Sequence, residues 1–246
     1  MTDIDPAYSH NYYSPIEAIK VFSKSFNLQG GPSFDVFSIQ GKDPLAKLKV
    51  HGPSSAVRKE FDSALRTFIL NLQGDSARSR IEYPKNSSKQ SLHLTQRYLV
   101  FQLFLQADQS FALEVAVVTR STNLKLRIIL SSSCREIAIT SHHVKMPCSM
   151  VETLCWVSLV LDMEDLVANY FEGNVFGHVD SVVVSANCKL KRIFSLKDRP
   201  GYVTDLPKNV SFPINIDSII QVNFKYNFYT TIMFKMINLP IYFSYL

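Results

Sequence analysis

Short apolar runs recur along most of the chain and are separated by polar breaks. Residues 34–39 alternate apolar and polar side chains, whereas Tyr98–Leu105 is almost continuously apolar and predicts a strand covered on both faces. Residues 111–118 and 124–130 are predicted to pair across the polar link 119–123. With roughly nine or ten short strands and turn signals about every 8–12 residues, the pattern predicts an all-β fold, an antiparallel β-sandwich or jelly-roll-like domain with one or two short helices.

Helical periodicity is confined to short segments. Met163, Leu166, Val167 and Tyr170 fall at helical spacing, and Asp162 precedes them as a good N-cap, which predicts a helix over 163–171. Two weaker helical patterns cover residues 16–22 and 57–61.

A β-hairpin is predicted within residues 180–197. The β-branched run 182–184 favours a strand, and Asn187 tolerates the backbone conformation of a tight turn. Alternation resumes after the turn, and two apolar runs split by a short polar break are typical of a hairpin. The exposed face of this hairpin carries the cationic side chains Lys189, Lys191 and Arg192.

The 246 residues suffice for one sandwich domain or at most two domains. Residues 1–25 are interpreted as a mobile N-terminal extension and residues 26–207 as the β-sandwich domain. Residues 208–246 form an atypical hydrophobic C-terminal segment, which we interpret as an alternative terminus unrelated to the fold. Charged residues interrupt this segment, so no membrane span is predicted.

The net charge of +5 and the isoelectric point near 8.9 favour an acidic partner such as nucleic acid, anionic lipid or an acidic protein surface. The strongest local concentration of positive charge, here called the basic set, comprises Lys189, Lys191, Arg192, Lys197 and Arg199. A second basic loop comprises Arg78, Arg80, Lys85 and Lys89. A solvated surface is the default interpretation of such runs. Aromatic residues are interleaved with neither, which disfavours base stacking.

No catalytic, cofactor or metal site is predicted. His142 and His143 are adjacent, and on a strand they would point to opposite faces rather than to one ion. Cys188 is interpreted as a small buried side chain; a reactive thiol lowered in pKa by Lys189 is the alternative. The sequence shows neither a phosphate-binding glycine loop nor a nucleophile elbow.

The cysteines favour a reduced intracellular chain. There are four of them and they form no CxxC pair: Cys134, Cys148, Cys155 and Cys188. No secretory signal is predicted, because no charged start followed by an apolar run is visible.

Several of these segments resemble the cilia- and flagella-associated protein 20 family. The matching residues include VVVSANCKLKRIFS (182–195), of which ANCKLKRIF (186–194) is the specific part. They follow Trp156 before an alternating strand and Leu161-Asp162 before the helix. Upstream matches are FSIQGK (37–42), KEFD (59–62), LNLQG (70–74) and QRYLVFQL (96–103). The resemblance covers residues 26–207 and looks closest to the domain-containing relative of this family.

This resemblance implies a β-sandwich without enzymatic activity, similar in shape to carbohydrate-binding modules. The founding member of the family is a structural protein of axonemal doublet microtubules and has also been linked to nuclear and centriolar roles. The resemblance therefore implies tubulin or other axonemal proteins as partners, and a place in the cytoplasm, the cytoskeleton and the axoneme of cilia or flagella. A basic edge suits an acidic tubulin lattice, so we expect the basic set to make the contacts and Trp156 to lie in the core.

Two alternatives stay open. A nuclear nucleic-acid-associated protein would bind nucleic acid with a steep dependence on salt. A glycan-binding β-sandwich, suggested by analogy of fold, would need exposed aromatic side chains in a flat platform, with Trp156 exposed.

Overall fold

The computed structural model describes residues 31, 33–40, 43–149, 151 and 153–200, and the backbone of strand residues 218–222. Within these residues there are fourteen strands and one helix, α1 (Met163–Tyr170). The strands in chain order are β1 (Ser33–Ser38), β2 (Lys49–His51), β3 (Val57–Asp62), β4 (Thr67–Leu72), β5 (Arg80–Tyr83), β6 (Tyr98–Leu105), β7 (Ala112–Thr119), β8 (Lys125–Ser131), β9 (Ala138–Ile139), β10 (His143–Pro147), β11 (Trp156–Asp162), β12 (Phe176–Ser185), β13 (Cys188–Leu196) and β14 (Ser218–Val222).

The strands form two seven-stranded sheets in a sandwich-like arrangement. The first sheet has the order β14-β11-β6-β13-β4-β3, and β1 pairs with the later half of β13. The second sheet has the order β2-β5-β12-β7-β8-β10-β9. Neighbouring strands are antiparallel except for two parallel pairs, β8 with β10 and β11 with β14. The predicted β-sandwich and the predicted pairing of β7 with β8 are confirmed.

The main core lies between the two sheets. Leu99, Phe101 and Leu103 of β6 are fully buried in one apolar cluster with Val115 and Val182 of the second sheet. Burying one such side chain contributes about 1.5–3 kcal/mol of transfer free energy. Burial of the apolar side chains of the central strands therefore contributes a large part of the free energy that drives folding.

The opposite face of the first sheet is buried as well. One cluster on that face contains Tyr98, Val100, Val160, Phe194 and Leu196. A second contains Trp156, whose side chain is only 4% exposed and whose ring centroid lies 5.8 Å from that of Phe104. The strand covered on both faces and the core position of Trp156 are both confirmed.

Helix α1 begins where the sequence predicts. The Asp162 side chain accepts a hydrogen bond from the backbone N–H of Asp165 (3.1 Å), and Glu164 and Asp165 lie in the first turn. Acidic side chains there interact favourably with the positive end of the helix dipole. Met163, Leu166 and Val167 are buried, which fixes the apolar face of the helix on the core.

The predicted hairpin within residues 180–197 is wrong. β12 belongs to the second sheet, where it pairs with β5 and β7, whereas β13 belongs to the first, where it pairs with β6, β4 and β1. Ala186 and Asn187 therefore connect the two sheets at one end of the sandwich. Both strands are largely buried and have other partners on both sides, which a short polar break in the sequence does not reveal.

Two further predictions need correction. The helical turn over 57–61 is strand β3, which pairs with β4. Residues 218–222 pair with β11 as β14, so this part of the C-terminal segment is not unrelated to the fold. The N-terminal extension, the helix over 16–22 and the rest of 208–246 lie outside the described residues, and the domain boundaries stay a prediction.

Candidate partner-binding surface

Three members of the basic set lie on β13, a central strand of the first sheet. Lys189 is opposite Phe104 on β6, and Arg192 is opposite Gln102. A register shift between Leu190 and Arg192 places both cations on the face that also carries Phe104. The structure therefore presents them from the broad side of the sheet and not from a hairpin tip.

Lys189 is engaged inside the fold. Its Nζ lies 3.4 Å from Oδ2 of Asp62 and 5.1 Å from the ring centroid of Phe104. The Lys189 side chain is 31% exposed and that of Asp62 is 8% exposed. The charge is thus balanced by a buried carboxylate on β3 and is only partly available to a partner.

Arg192 is engaged in the same way. Its guanidinium forms an ion pair with Asp35 of β1, the neighbouring strand. The Arg192 side chain is 14% exposed, whereas the Asp35 carboxylate is 46% exposed. At this position the more accessible charge is negative.

The other three members of the basic set differ in position and exposure. Lys191 is half-buried at the register shift, and Lys197 and Arg199 are exposed beyond the end of β13. About 25 Å of extended chain separates Lys189 from Lys197. The structure therefore does not bring the five cations together in one patch.

An ion network lies at the end of the first sheet where β13 ends. Sequence spacing could not predict it. Arg97 donates two 2.8 Å hydrogen bonds to the Asp162 carboxylate, and its Nη1 lies 3.1 Å from Oε2 of Glu164. The hydrogen bond with Asp162 raises the pKa of Arg97. Burial raises the pKa of Tyr98, and Asp162 raises it further, while Arg97 and Arg199 act in the opposite direction. Asp162 was recognisable as a helix cap, but Arg97 is 65 residues away in the chain.

The second basic loop is dispersed as well. Arg78 lies 3.6 Å from Asp75 with both side chains exposed, and Arg80 donates to the backbone carbonyl of Ala77. Lys85 and Lys89 are exposed. These two lysines serve below as controls for charge reversal.

The cysteine thiols are poor nucleophiles where they are buried. Burial strongly raises the pKa of Cys188, whose Sγ lies 3.6 Å from the Ser185 carbonyl, so the small buried side chain is confirmed. Burial, with a smaller effect of Cys134, raises the pKa of Cys148 to about 12. A thiolate is therefore disfavoured at both buried positions.

The histidine pair makes local hydrogen bonds. His142 Nδ1 lies 2.8 Å from Ser141 Oγ, and His143 Nδ1 lies 3.0 Å from Thr140 Oγ1. Across the described ranges, no three side chains among His, Cys, Asp and Glu come together as a metal site would require.

A cavity of about 900 Å³ opens between the ends of β6, β7 and β8. Its buried lining residues are Leu105, Phe111, Cys148 and Val151, and exposed serines such as Ser110 and Ser132 line it as well. Its aromatic residue, Phe111, is only 3% exposed. Together with the buried Trp156, this arrangement gives no support to the flat aromatic platform that a glycan-binding module needs.

Fold and surface together define a two-sheet β-sandwich with its charges dispersed over the surface, and no helix in the described part is long and apolar enough to cross a membrane. The chain matches the model of the CFA20 domain over residues 23–232, and it belongs to that family. Among solved structures it is similar to an exo-beta-agarase, at 10% identity and a TM-score of 0.39. The match covers 68% of this chain and 25% of that one, so the chain spans about a quarter of that protein's length.

Proposed function

We propose that this protein is a non-enzymatic structural or binding module that associates with microtubules, in axonemes of cilia and flagella or elsewhere in the cytoskeleton. The observation that carries the proposal is the match to the CFA20 domain over residues 23–232, most of the chain. The family is not known for catalysis, and it takes its name from a cilia- and flagella-associated protein.

Charge and rigidity support this proposal. A net charge of +5 favours an acidic lattice such as tubulin. Two packed sheets hold surface side chains in fixed positions, which suits repeated docking on a regular lattice. Surface charges contribute more to the association rate and to orientation than to affinity, so binding weakens as salt increases.

Within the basic set, the contacts we propose are unequal. Lys197 and Arg199 are exposed, whereas the side chains of Lys189 and Arg192 are only 31% and 14% exposed. Lys197 and Arg199 therefore provide the main contacts to an acidic lattice, and Lys189, Lys191 and Arg192 contribute to the surrounding potential.

Co-sedimentation of the full chain with stabilised microtubules, at about 50 and 200 mM salt, tests the proposal. We expect the wild type to pellet at low salt and Lys197→Glu/Arg199→Glu to bind about tenfold more weakly. The matched control is Lys85→Glu/Lys89→Glu, which makes the same change of charge on another surface and should pellet like the wild type. Equal binding of all three proteins would remove the basic set from the proposal, and failure of the wild type to pellet would refute the function itself.

A further inference from the structure

The β3–β4 hairpin forms one edge of the first sheet. β3 is the terminal strand, and no other described strand pairs with its outer side. The backbone N–H of Gln73 donates to the carbonyl of Ala56. From this pair along the hairpin, residue pairs that exchange backbone hydrogen bonds alternate with pairs that do not, and Val57, Lys59 and Phe61 belong to the second kind. The backbone groups of Val57, Lys59 and Phe61 consequently point away from β4, as in an edge strand able to accept another strand.

One face of this hairpin is fixed to the body of the protein. The Asp62 carboxylate accepts hydrogen bonds from the backbone N–H groups of Ala64 and Leu65, which shapes the connecting turn. Leu65 then packs on Ile69 and Trp156. The edge is therefore held in place before any partner arrives, which lowers the entropy lost on binding.

The other face exposes two aromatic rings. Phe61 is 60% exposed and Phe68 is 46% exposed, and they are directly opposite each other across the strand pair. Their ring centroids lie 5.6 Å apart at an interplanar angle of 78°, and Lys59 Nζ lies 4.8 Å from the Phe68 centroid. Exposed large apolar side chains grouped in this way favour an interaction surface.

The accessible charges along this edge are positive. Lys59 lies on the face of the rings, Arg58 on the opposite face and Arg66 in the connecting turn, and all three are exposed. The two acids of the hairpin are engaged, since Glu60 accepts a 2.8 Å hydrogen bond from Asn71 and Asp62 is buried against Lys189. The edge thus combines outward backbone groups, an aromatic pair and a positive rim.

We propose that the β3 edge binds an extended, acidic segment of a partner protein as an additional strand. Backbone groups of the segment pair with Val57, Lys59 and Phe61. An apolar side chain of the segment packs on the Phe61–Phe68 pair, and the carboxylates that alternate with it face Arg58 on the other side of the strand. Single-stranded nucleic acid fits less well, because two perpendicular rings do not form a flat surface on which bases stack. The apolar contact uses the face of β3 opposite Asp62, and the site contains neither Lys197 nor Arg199, the main proposed microtubule contacts.

Fluorescence anisotropy with the full chain tests this edge. The probe is a labelled peptide of sequence EVEFEVE, compared with KVKFKVK. We expect the acidic peptide alone to bind, and Phe61→Ser/Phe68→Ser to weaken binding at least tenfold. Ile139→Ser removes an exposed apolar side chain, 56% exposed, from the terminal strand of the other sheet, and it should leave binding unchanged.

A second pair of variants isolates the backbone contribution. Lys59→Pro removes an outward N–H that β4 does not use, whereas Lys59→Thr removes the same charge and keeps that N–H. We expect the proline variant to bind more weakly than the threonine variant, with thermal unfolding showing that both are folded. Three outcomes would overturn the proposal: no binding by the wild type, binding that the phenylalanine variants retain, or tighter Phe61-dependent binding of oligouridylate or of a second copy of the chain.

Discussion

At the scale of single residues, a carboxylate paired with a cationic side chain determines how far that cation is available to a binding partner. Lys189 and Arg192 look alike in the sequence, but each is paired with an acid from a distant segment, Asp62 or Asp35. Removing one member of such a pair leaves the other charge with too little compensation. Substitutions at these two positions therefore report on stability before they report on binding.

Lys189→Glu should lower the free energy of unfolding by about 1–3 kcal/mol, because it places a second carboxylate beside the buried Asp62. Lys197→Glu makes the same change of charge at an exposed position and should change it by no more than about 0.5 kcal/mol. Urea unfolding of the three proteins measures both values. Equal stability of the two variants would show that the Lys189–Asp62 pair does not contribute.

His178 should make the protein less stable in acid. Burial lowers its pKa below the ordinary value of 6.5, the neighbouring His93 ring (4.8 Å between centroids) lowers it further, and Asp180 opposes both. Just below pH 6.5 the unfolded chain therefore binds more protons at this residue than the folded chain. The free energy of unfolding therefore has its full value above pH 6.5. It falls as the pH drops through 6.5 toward the lower pKa of His178 in the folded protein.

Urea midpoints at pH 7.5 and 5.5 measure this effect. His178→Gln should lose less stability between the two pH values than the wild type does. His142→Gln, at an exposed position, should follow the wild type. Identical losses in all three proteins would exclude His178 as a source of acid sensitivity.

At the scale of elements, the sequence predicts strands more reliably than it predicts their partners. Short apolar runs correctly predict β6, β7 and β8, because burial of one or both faces of a strand leaves an alternating or a continuous apolar pattern. The hairpin predicted within residues 180–197 is wrong because a short break at Asn187 suits both a hairpin and a crossing between sheets. For residues 57–61, pairing with β4 decided the structure over a weak local helical pattern.

Asn187 holds the crossing between the sheets. Its Oδ1 accepts a 2.9 Å hydrogen bond from the backbone N–H of Gly74, after β4, and its Nδ2 donates to the carbonyl of Ser110, before β7. The side chain is buried, so Asn187→Ala should lower the free energy of unfolding by about 1–3 kcal/mol. Gln109→Ala, at an exposed position near the same loop, is the control and should have an effect under about 0.5 kcal/mol. Urea unfolding distinguishes the two, and equal effects would mean that the bridge is not stabilising.

At the scale of the whole molecule, the sign of the net charge was predictable from the sequence, but the distribution of the charged side chains over the surface was not. Composition gives +5, but the structure spreads this excess over several surfaces and pairs Lys189 and Arg192 internally. The aromatic edge at Phe61 and Phe68 escaped sequence reasoning because residues 57–61 were interpreted as a helical turn. If the protein binds microtubules as proposed, charges spread over several surfaces predict contacts with the lattice at more than one place.

The most direct test of the proposed function is a binding isotherm of the full chain on stabilised microtubules across a salt series, with and without excess single-stranded DNA. We expect saturable binding that weakens with salt and that the DNA does not displace. Absence of binding at low salt, or complete displacement by the DNA, would contradict the assignment and favour the nucleic-acid alternative.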